Sequence, residues 1–179
     1  MSVDLYVFLR DQDVPTRDGW QQAINASGVD LVLDNFNPRE HTVYLPVKLN
    51  FKPTGFEYYF GSVEQELGVV SERIGDRDRV ISFVLHGDFT ELKAAMWAAA
   101  VLTKHASGIF YDPQSDEYAE DDGVFEIIRR DEAAEKERRY KKAAMDAART
   151  ERRCPKCGSP CPEYRNTCKA CGFAIGRAL

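Results

Sequence analysis

The sequence predicts an α+β protein: a mostly antiparallel sheet covered by helices, followed by a long charged helix and a small cysteine-bearing module. Three observations carry this expectation. Runs of apolar alternation follow one another in residues 3–113 without a helix after each, which favours antiparallel pairing over a parallel array. Charge then changes sign. Residues 1–128 hold 10 Lys/Arg against 22 Asp/Glu, a balance of −12, whereas residues 129–179 hold 14 against 7, a balance of +7. Finally, four of the five cysteines form two Cys-x-x-Cys-Gly units after residue 153. The expected division is an acidic domain over 1–123, a charged helical connector over 124–153 and the cysteine module over 154–179.

The first strand is residues 3–10, with Val3, Leu5, Val7 and Leu9 on one face and Tyr6 and Phe8 partly covering the other. Pro15 opens a helix to residue 26 on the stripe Trp20, Ala23 and Ile24, and Gly28 is placed to stop it. A strand over 29–34 and a turn at 35–38 follow. Residues 42–51 alternate again, but Pro46 has no N–H for a ladder, which predicts an edge or bulged strand. Residues 52–55 read as a turn and 56–60 as an aromatic strand. A short helix starts at Ser62, and 71–79 reads as an exposed loop. Residues 80–85 form a strong strand. Asp88 caps the next helix, with Glu91 completing a capping box; that helix is apolar nearly all round to about Ala106, as core helices are, and Gly108 ends it. A last short strand and turn occupy 109–113.

With 179 residues and 20.3 kDa the chain has room for one ordinary domain and an accessory module, and 44% hydrophobic with 30% charged residues is a globular rather than a disordered composition. The longest strictly apolar run, 94–102, is nine residues. A membrane-spanning helix needs about 20, so no membrane role is expected. The beginning of the chain has no basic stretch followed by an apolar one, and a cytoplasmic location is expected.

Residues able to do acid–base chemistry are few. No two of His41, His86 and His105 share metal-ligand spacing, and neither a nucleophile elbow nor a phosphate loop is present. His86 with Asp88 is the one candidate acid/base pair, against the plainer reading of a strand-end histidine and a helix-capping aspartate. Six acids in 112–123 lack calcium-loop spacing and read as a solvated loop, or as a surface for a basic partner.

From 124 to 153 the chain reads as one helix, docked through Val124, Phe125, Ile127 and Ile128. Beyond these it is a spacer of about 37 Å, laced by pairs such as Glu132–Lys136 and Glu135–Arg139. Its 10 Lys/Arg against 6 Asp/Glu over 129–153 make a modest basic surface, and no leucine heptad marks a coiled coil.

The strongest signal is Cys154-Pro155-Lys156-Cys157-Gly158 followed by Cys168-Lys169-Ala170-Cys171-Gly172. Each short turn can aim two thiolates at one ion, and the following glycine permits the backbone angle that turns amides toward sulfur. Four thiolates satisfy a tetrahedral zinc ion with no open position, so the site is structural, with one Zn²⁺ per chain on Cys154, Cys157, Cys168 and Cys171. Spacing alone leaves iron open. Disulfides would need an oxidising compartment and would leave one of five cysteines over. Cys161 is either a free thiol in the loop or a substitute for Cys157. Residues 153–173 resemble a short, rubredoxin-like zinc ribbon.

A looser resemblance covers residues 3–115. The opening Asp4-Leu5-Tyr6-Val7-Phe8-Leu9, the segment Trp20-Gln21-Gln22-Ala23-Ile24, the Met96-Trp97 helix and Gly108-Ile109-Phe110-Tyr111-Asp112-Pro113 look like small bacterial α+β proteins of unassigned function, some of them immunity-like. The resemblance implies a non-enzymatic protein-binding module, an immunity-like or adaptor protein. The acidic part would meet a basic protein partner. A second reading puts nucleic-acid binding in the basic helix and ribbon, and a third makes the chain an enzyme using His86 and Asp88.

Overall fold

The computed structural model describes residues 3–64, 72–151, 153–159, 161 and 167–174, with side chains omitted for 147–151. The chain separates into two compact units, Met1–Arg129 and Arg130–Leu179. The first is a seven-stranded sheet in the order β2-β3-β4-β5-β1-β6-β7, with every pairing antiparallel. Its strands are β1 (Val3–Leu9), β2 (Leu31–Leu33), β3 (Tyr44–Leu49), β4 (Lys52–Ser62), β5 (Arg79–Leu85), β6 (Ile109–Asp112) and β7 (Glu117–Glu120). Three α-helices are described: α1 (Arg17–Ala26), α2 (Phe89–His105) and α3 (Gly123–Glu151).

Side chains alternate across the sheet as the pleat requires. Leu5, Val7 and Leu9 of β1 join Leu45 and Val47 of β3, Ile81 and Phe83 of β5 and Phe110 of β6 in the main core. Trp20 of α1 is fully buried there. Its indole N–H donates to the Ala98 carbonyl of α2 (3.3 Å), and Phe83 and Phe36 meet its ring edge-on. Ala94, Ala95, Ala98, Ala99 and Ala100 of α2 are all buried, the small side chains letting the helix lie close to its neighbours. The first turns of α3 close the core with Val124, Phe125, Ile127 and Ile128, as their apolar character predicts.

The opposite face holds a second, smaller cluster of Phe8, Val63, Ile74, Val80 and Ile109. Residues 71–79 are therefore not simply an exposed loop: Glu72–Ile74 forms a 3-10 turn that buries Ile74 (1% exposed). Period-two reading cannot see this cover, because it lies in a segment with no period of its own. The short helix expected from Ser62 to the interruption at Gly68 continues from residue 65 outside the described residues.

Several boundaries differ from expectation for local reasons. Thr16, not Pro15, caps α1, accepting from the Gly19 N–H at 3.1 Å. The second strand shrinks to Leu31–Leu33. The predicted turn at 52–55 belongs to β4, and the real turn is Asn50-Phe51, both at positive φ (50° and 63°), which joins β3 to β4 as a two-residue hairpin. Gly55 sits in the ladder beneath the Tyr44 ring, where a Cβ would come within 2.6 Å of the Leu45 carbonyl. β3 is not an edge strand, since β2 covers it. Pro46 is tolerated because it lies just past the end of β2. Its carbonyl accepts from Asp34 N (3.2 Å), and Arg17 Nε donates to the Asp34 carbonyl (3.1 Å) that an ordinary residue 46 would have served.

Asp88 caps α2 as predicted, accepting from Thr90 N at 2.7 Å, but Glu91 takes the His86 N–H (3.3 Å) instead of closing a capping box. At the other end Ser107, not Gly108, takes the left-handed conformation (φ 49°). Gly108 is needed for proximity: a Cβ would lie 2.7 Å from Leu9 Cδ2 and 3.0 Å from the Phe8 carbonyl. The acidic stretch 112–123 is likewise not an open loop, because Glu117–Glu120 pairs with β6 as a hairpin. Sequence polarity concealed this strand, which pairs on one side only and is nowhere fully buried.

Two substitutions test this packing. Gly108→Ala should cost about 1–3 kcal/mol in urea denaturation, since the neighbours it meets are a buried leucine and backbone. Asp88→Ala should cost about 1 kcal/mol through loss of the cap. No change on Gly108→Ala would mean that β1 and the start of β6 are less closely packed than described.

Candidate metal centre and polar clusters

The C-terminal unit contains two turns with matching hydrogen bonds. In the first, Cys154 N donates to the Ser159 carbonyl (2.8 Å) and Gly158 N to the Cys154 carbonyl (2.8 Å). In the second, Cys168 N donates to the Phe173 carbonyl (2.8 Å) and Gly172 N to the Cys168 carbonyl (2.9 Å). Gly158 and Gly172 both adopt positive φ, 72° and 68°, as the spacing predicts. A bridge between Thr167 and Ala174 closes the second turn, and Arg153 Nη1 donates to the Gly158 carbonyl (3.2 Å).

These turns bring the Sγ atoms of Cys154, Cys157, Cys168 and Cys171 within 4.8 Å of one another. The pairs Cys154–Cys171 and Cys157–Cys168 are each 3.6 Å apart. Four sulfurs placed tetrahedrally about 2.3 Å from a centre would be about 3.8 Å apart, so the donor set fits a four-thiolate ion without rearranging the backbone. Backbone amides support the anionic form. Burial raises the Cys168 thiol, but the N–H groups of Cys171 and Ala170, with hydrogen bonds from Cys161 and Cys157, bring it down to about 6. The Ser159 hydroxyl and then its N–H lower Cys157. At Cys171 the Phe173 N–H acts downward, yet burial and the neighbouring thiols push it up to about 12. Four thiols this close resist losing all their protons together; a divalent cation removes that conflict.

Cys161 is not a solvent-facing loop thiol. It is 2% exposed and packs with Cys154 and Cys168, and burial pushes its thiol up to about 11. The four-residue set completed by Cys157 is the one that converges, so Cys161 stands beside the metal set as a protonated neighbour.

The histidines go to separate places. His41 Nε2 lies 3.2 Å from the Tyr44 carbonyl, and its ring meets Phe36 edge-on. His105, in the last turn of α2, lines a cleft of about 660 Å³ beside Lys104, Asp122 and Arg129, where Lys104 and Asp122 pair at 2.7 Å. The Asp88 carboxylate caps α2, while the ring of His86 turns to Glu57. The imidazole Nε2 lies 2.8 Å from Glu57 Oε1, and Glu57 Oε2 accepts from the Tyr59 hydroxyl at 2.6 Å. The Tyr59 bond first, and His86 second, hold the Glu57 carboxyl below its usual range. Sequence reasoning missed this Tyr59–Glu57–His86 cluster because Tyr59 and Glu57 lie on β4 whereas His86 lies just past the end of β5. Only the β4–β5 register, which pairs Glu57 with Val84, brings them together.

On the long helix, Glu135 pairs with Arg139 at 2.8 Å as expected, and Glu137 with Lys141 at 2.7 Å. No helix among the described residues is long and apolar enough to cross a membrane. The fold and site define an α+β unit joined to a four-cysteine module able to hold a metal ion. No family model, curated protein or solved structure matches the chain.

The four-cysteine geometry predicts a stoichiometry. Full-length protein should bind one metal ion per chain; Cys154→Ser or Cys168→Ser should abolish binding, and Cys161→Ser should retain it. Elemental analysis of the purified variants checks this. Loss of metal in Cys161→Ser, with retention in Cys157→Ser, would move the fourth ligand to Cys161.

Proposed function

We propose that the chain is a non-enzymatic protein-binding module, an adaptor or immunity-like protein, in which residues 1–129 receive a basic partner and a zinc ion folds the cysteine module. The observation that carries the zinc assignment is the convergence of four thiols with no fifth donor of another kind among the described residues. All-thiolate tetrahedral sites suit zinc and leave no coordination position for substrate. A module of some 25 residues buries too little apolar surface to fold unaided, so metal binding supplies most of its folding free energy.

The partner assignment is supported by charge. A balance of −12 over residues 1–128 steers basic surfaces toward the sheet unit and raises association rates, with a strong dependence on salt. The non-enzymatic reading is supported by the two groups of the candidate pair: Asp88 is committed to the α2 cap and His86 to Glu57.

The test uses full-length protein, residues 1–129 and zinc-loaded residues 130–179 as immobilised baits at 0.1 M and 0.5 M salt. A protein retained by the full chain and by 1–129 at low salt, and released at high salt, is the expected result. Retention of nucleic acid alone, and by 130–179 alone, would transfer the function to the basic end.

A further inference from the structure

The cleft beside His105 lies where three helices of the sheet unit meet: the last turn of α1, the last turns of α2 and the first two turns of α3. It encloses about 660 Å³. Pockets for small molecules hold roughly 300–1,000 Å³. Val101 (3% exposed) and Phe125 (9% exposed), with half-buried Ala23, give it an apolar floor. Lys104, His105 and Arg129 stand exposed around that floor. Asp122 is the one carboxylate among the described lining residues, and Lys104 Nζ holds it at 2.7 Å. The same Nζ lies 6.0 Å from the centre of the Phe125 ring, which places the ammonium group over the floor. The side chains of His105 and Arg129 make no hydrogen bond or ion pair among the described residues.

The charge of this cleft runs against its surroundings. Residues 1–128 carry a balance of −12, yet three cationic side chains and one acid line it. Helix electrostatics explain two of the three, since Lys104 and His105 occupy the last turn of α2, where cations offset the dipole. They do not explain Arg129. It lies in the second turn of α3, near the end at which a helix favours acids, and four residues after Phe125, so both share one helix face. A guanidinium pairs with a carboxylate or a phosphate through two parallel hydrogen bonds, and an imidazole N–H beside it can add another. The apolar floor suits an uncharged body attached to such a head. A polyanion would extend beyond the cleft into the acidic field of the unit, whereas a small acid meets only the local cations.

We propose that this cleft binds a small organic acid, its carboxylate or phosphate head held by Arg129, His105 and Lys104 and its apolar or aromatic body lying on Val101, Phe125 and Ala23. This site is additional to the surface that receives a basic partner and does not depend on it.

The test titrates ¹⁵N-labelled, zinc-loaded full-length protein with butylbenzoate, butylphenyl phosphate, butylbenzylammonium, inorganic phosphate and a single-stranded oligothymidylate. At least one of the two aryl acids should shift the amides of Ala26, Ser27, His105 and Phe125, and bind about tenfold more tightly than the ammonium or inorganic phosphate. The tighter of the two acids identifies the head group. Arg129→Gln should weaken its binding about tenfold, the loss expected of one charge-assisted pair. Asp122→Asn releases Lys104 and should strengthen binding several-fold, and Ala26→Trp, which puts an indole into the cleft, should abolish it. All three positions are exposed, so the variants should fold, and unchanged β1 amides check that they do. Inorganic phosphate or the ammonium binding as tightly as the aryl acids would overturn the proposal. So would the absence of shifts at the cleft, a cleft that responds only to oligothymidylate, or folded Arg129→Gln or Asp122→Asn protein that binds like the parent.

Discussion

The fold of residues 1–129 depends on the position of β1. The first strand of the chain is an interior strand of the sheet, hydrogen-bonded along its whole length to β5 and through Tyr6, Val7 and Phe8 to β6. Everything on the β6 side, including the hairpin to β7, is joined to the rest of the sheet through it. An interior strand must satisfy both edges and bury at least one face. β1 supplies Leu5, Val7 and Leu9 to the helix-covered core, and Tyr6 and Phe8 to the other side. A register slip of one residue would exchange these sets, placing a tyrosine hydroxyl in the core and leucines on the aromatic face. Gly108 belongs to the same constraint, since only a residue without Cβ lets the chain enter β6 against Leu9 and the Phe8 carbonyl.

The C-terminal module obeys a different rule. Its order comes from four sulfurs, not from a core: the compact cluster there is cysteine itself. Two turns of the same hydrogen-bond pattern, each closed by a glycine at positive φ, present the thiols in pairs, and the amides of Ala170, Cys171 and Ser159 share the negative charge. Helix α3 begins in the first unit, where four apolar side chains anchor it, and continues into the second with Glu135–Arg139 and Glu137–Lys141 pairs. Such exposed pairs add only a few tenths of a kcal/mol each.

Legibility in the sequence followed the strength of local signals. The alternation of residues 3–9, the apolar α2, the Asp88 cap and the two Cys-x-x-Cys-Gly units are short-range patterns, and each has its expected counterpart in the structure. Pro46 misled because a missing donor argues for an edge only where a neighbouring strand continues past it. β2 stops one residue short, and Arg17 serves the carbonyl left over. The Asn50-Phe51 turn was hidden because Phe51 is an unusual residue at positive φ; it is 87% exposed. β7 was hidden by its acids. The Tyr59–Glu57–His86 cluster could not be read at all from one strand at a time, because the β4–β5 register brings it together.

The chain therefore divides into a sheet unit built on apolar burial and a module built on four convergent thiols able to hold a metal ion. Amide hydrogen exchange of the full-length protein, with and without a strong chelator, tests that division most directly. The account predicts that chelation removes protection from Gly158, Cys168 and Gly172, leaving the slow exchange of Leu5, Val7 and Phe83 unchanged. Protection of the cysteine turns that survives complete metal removal, or β1 amides that lose protection with them, would contradict it.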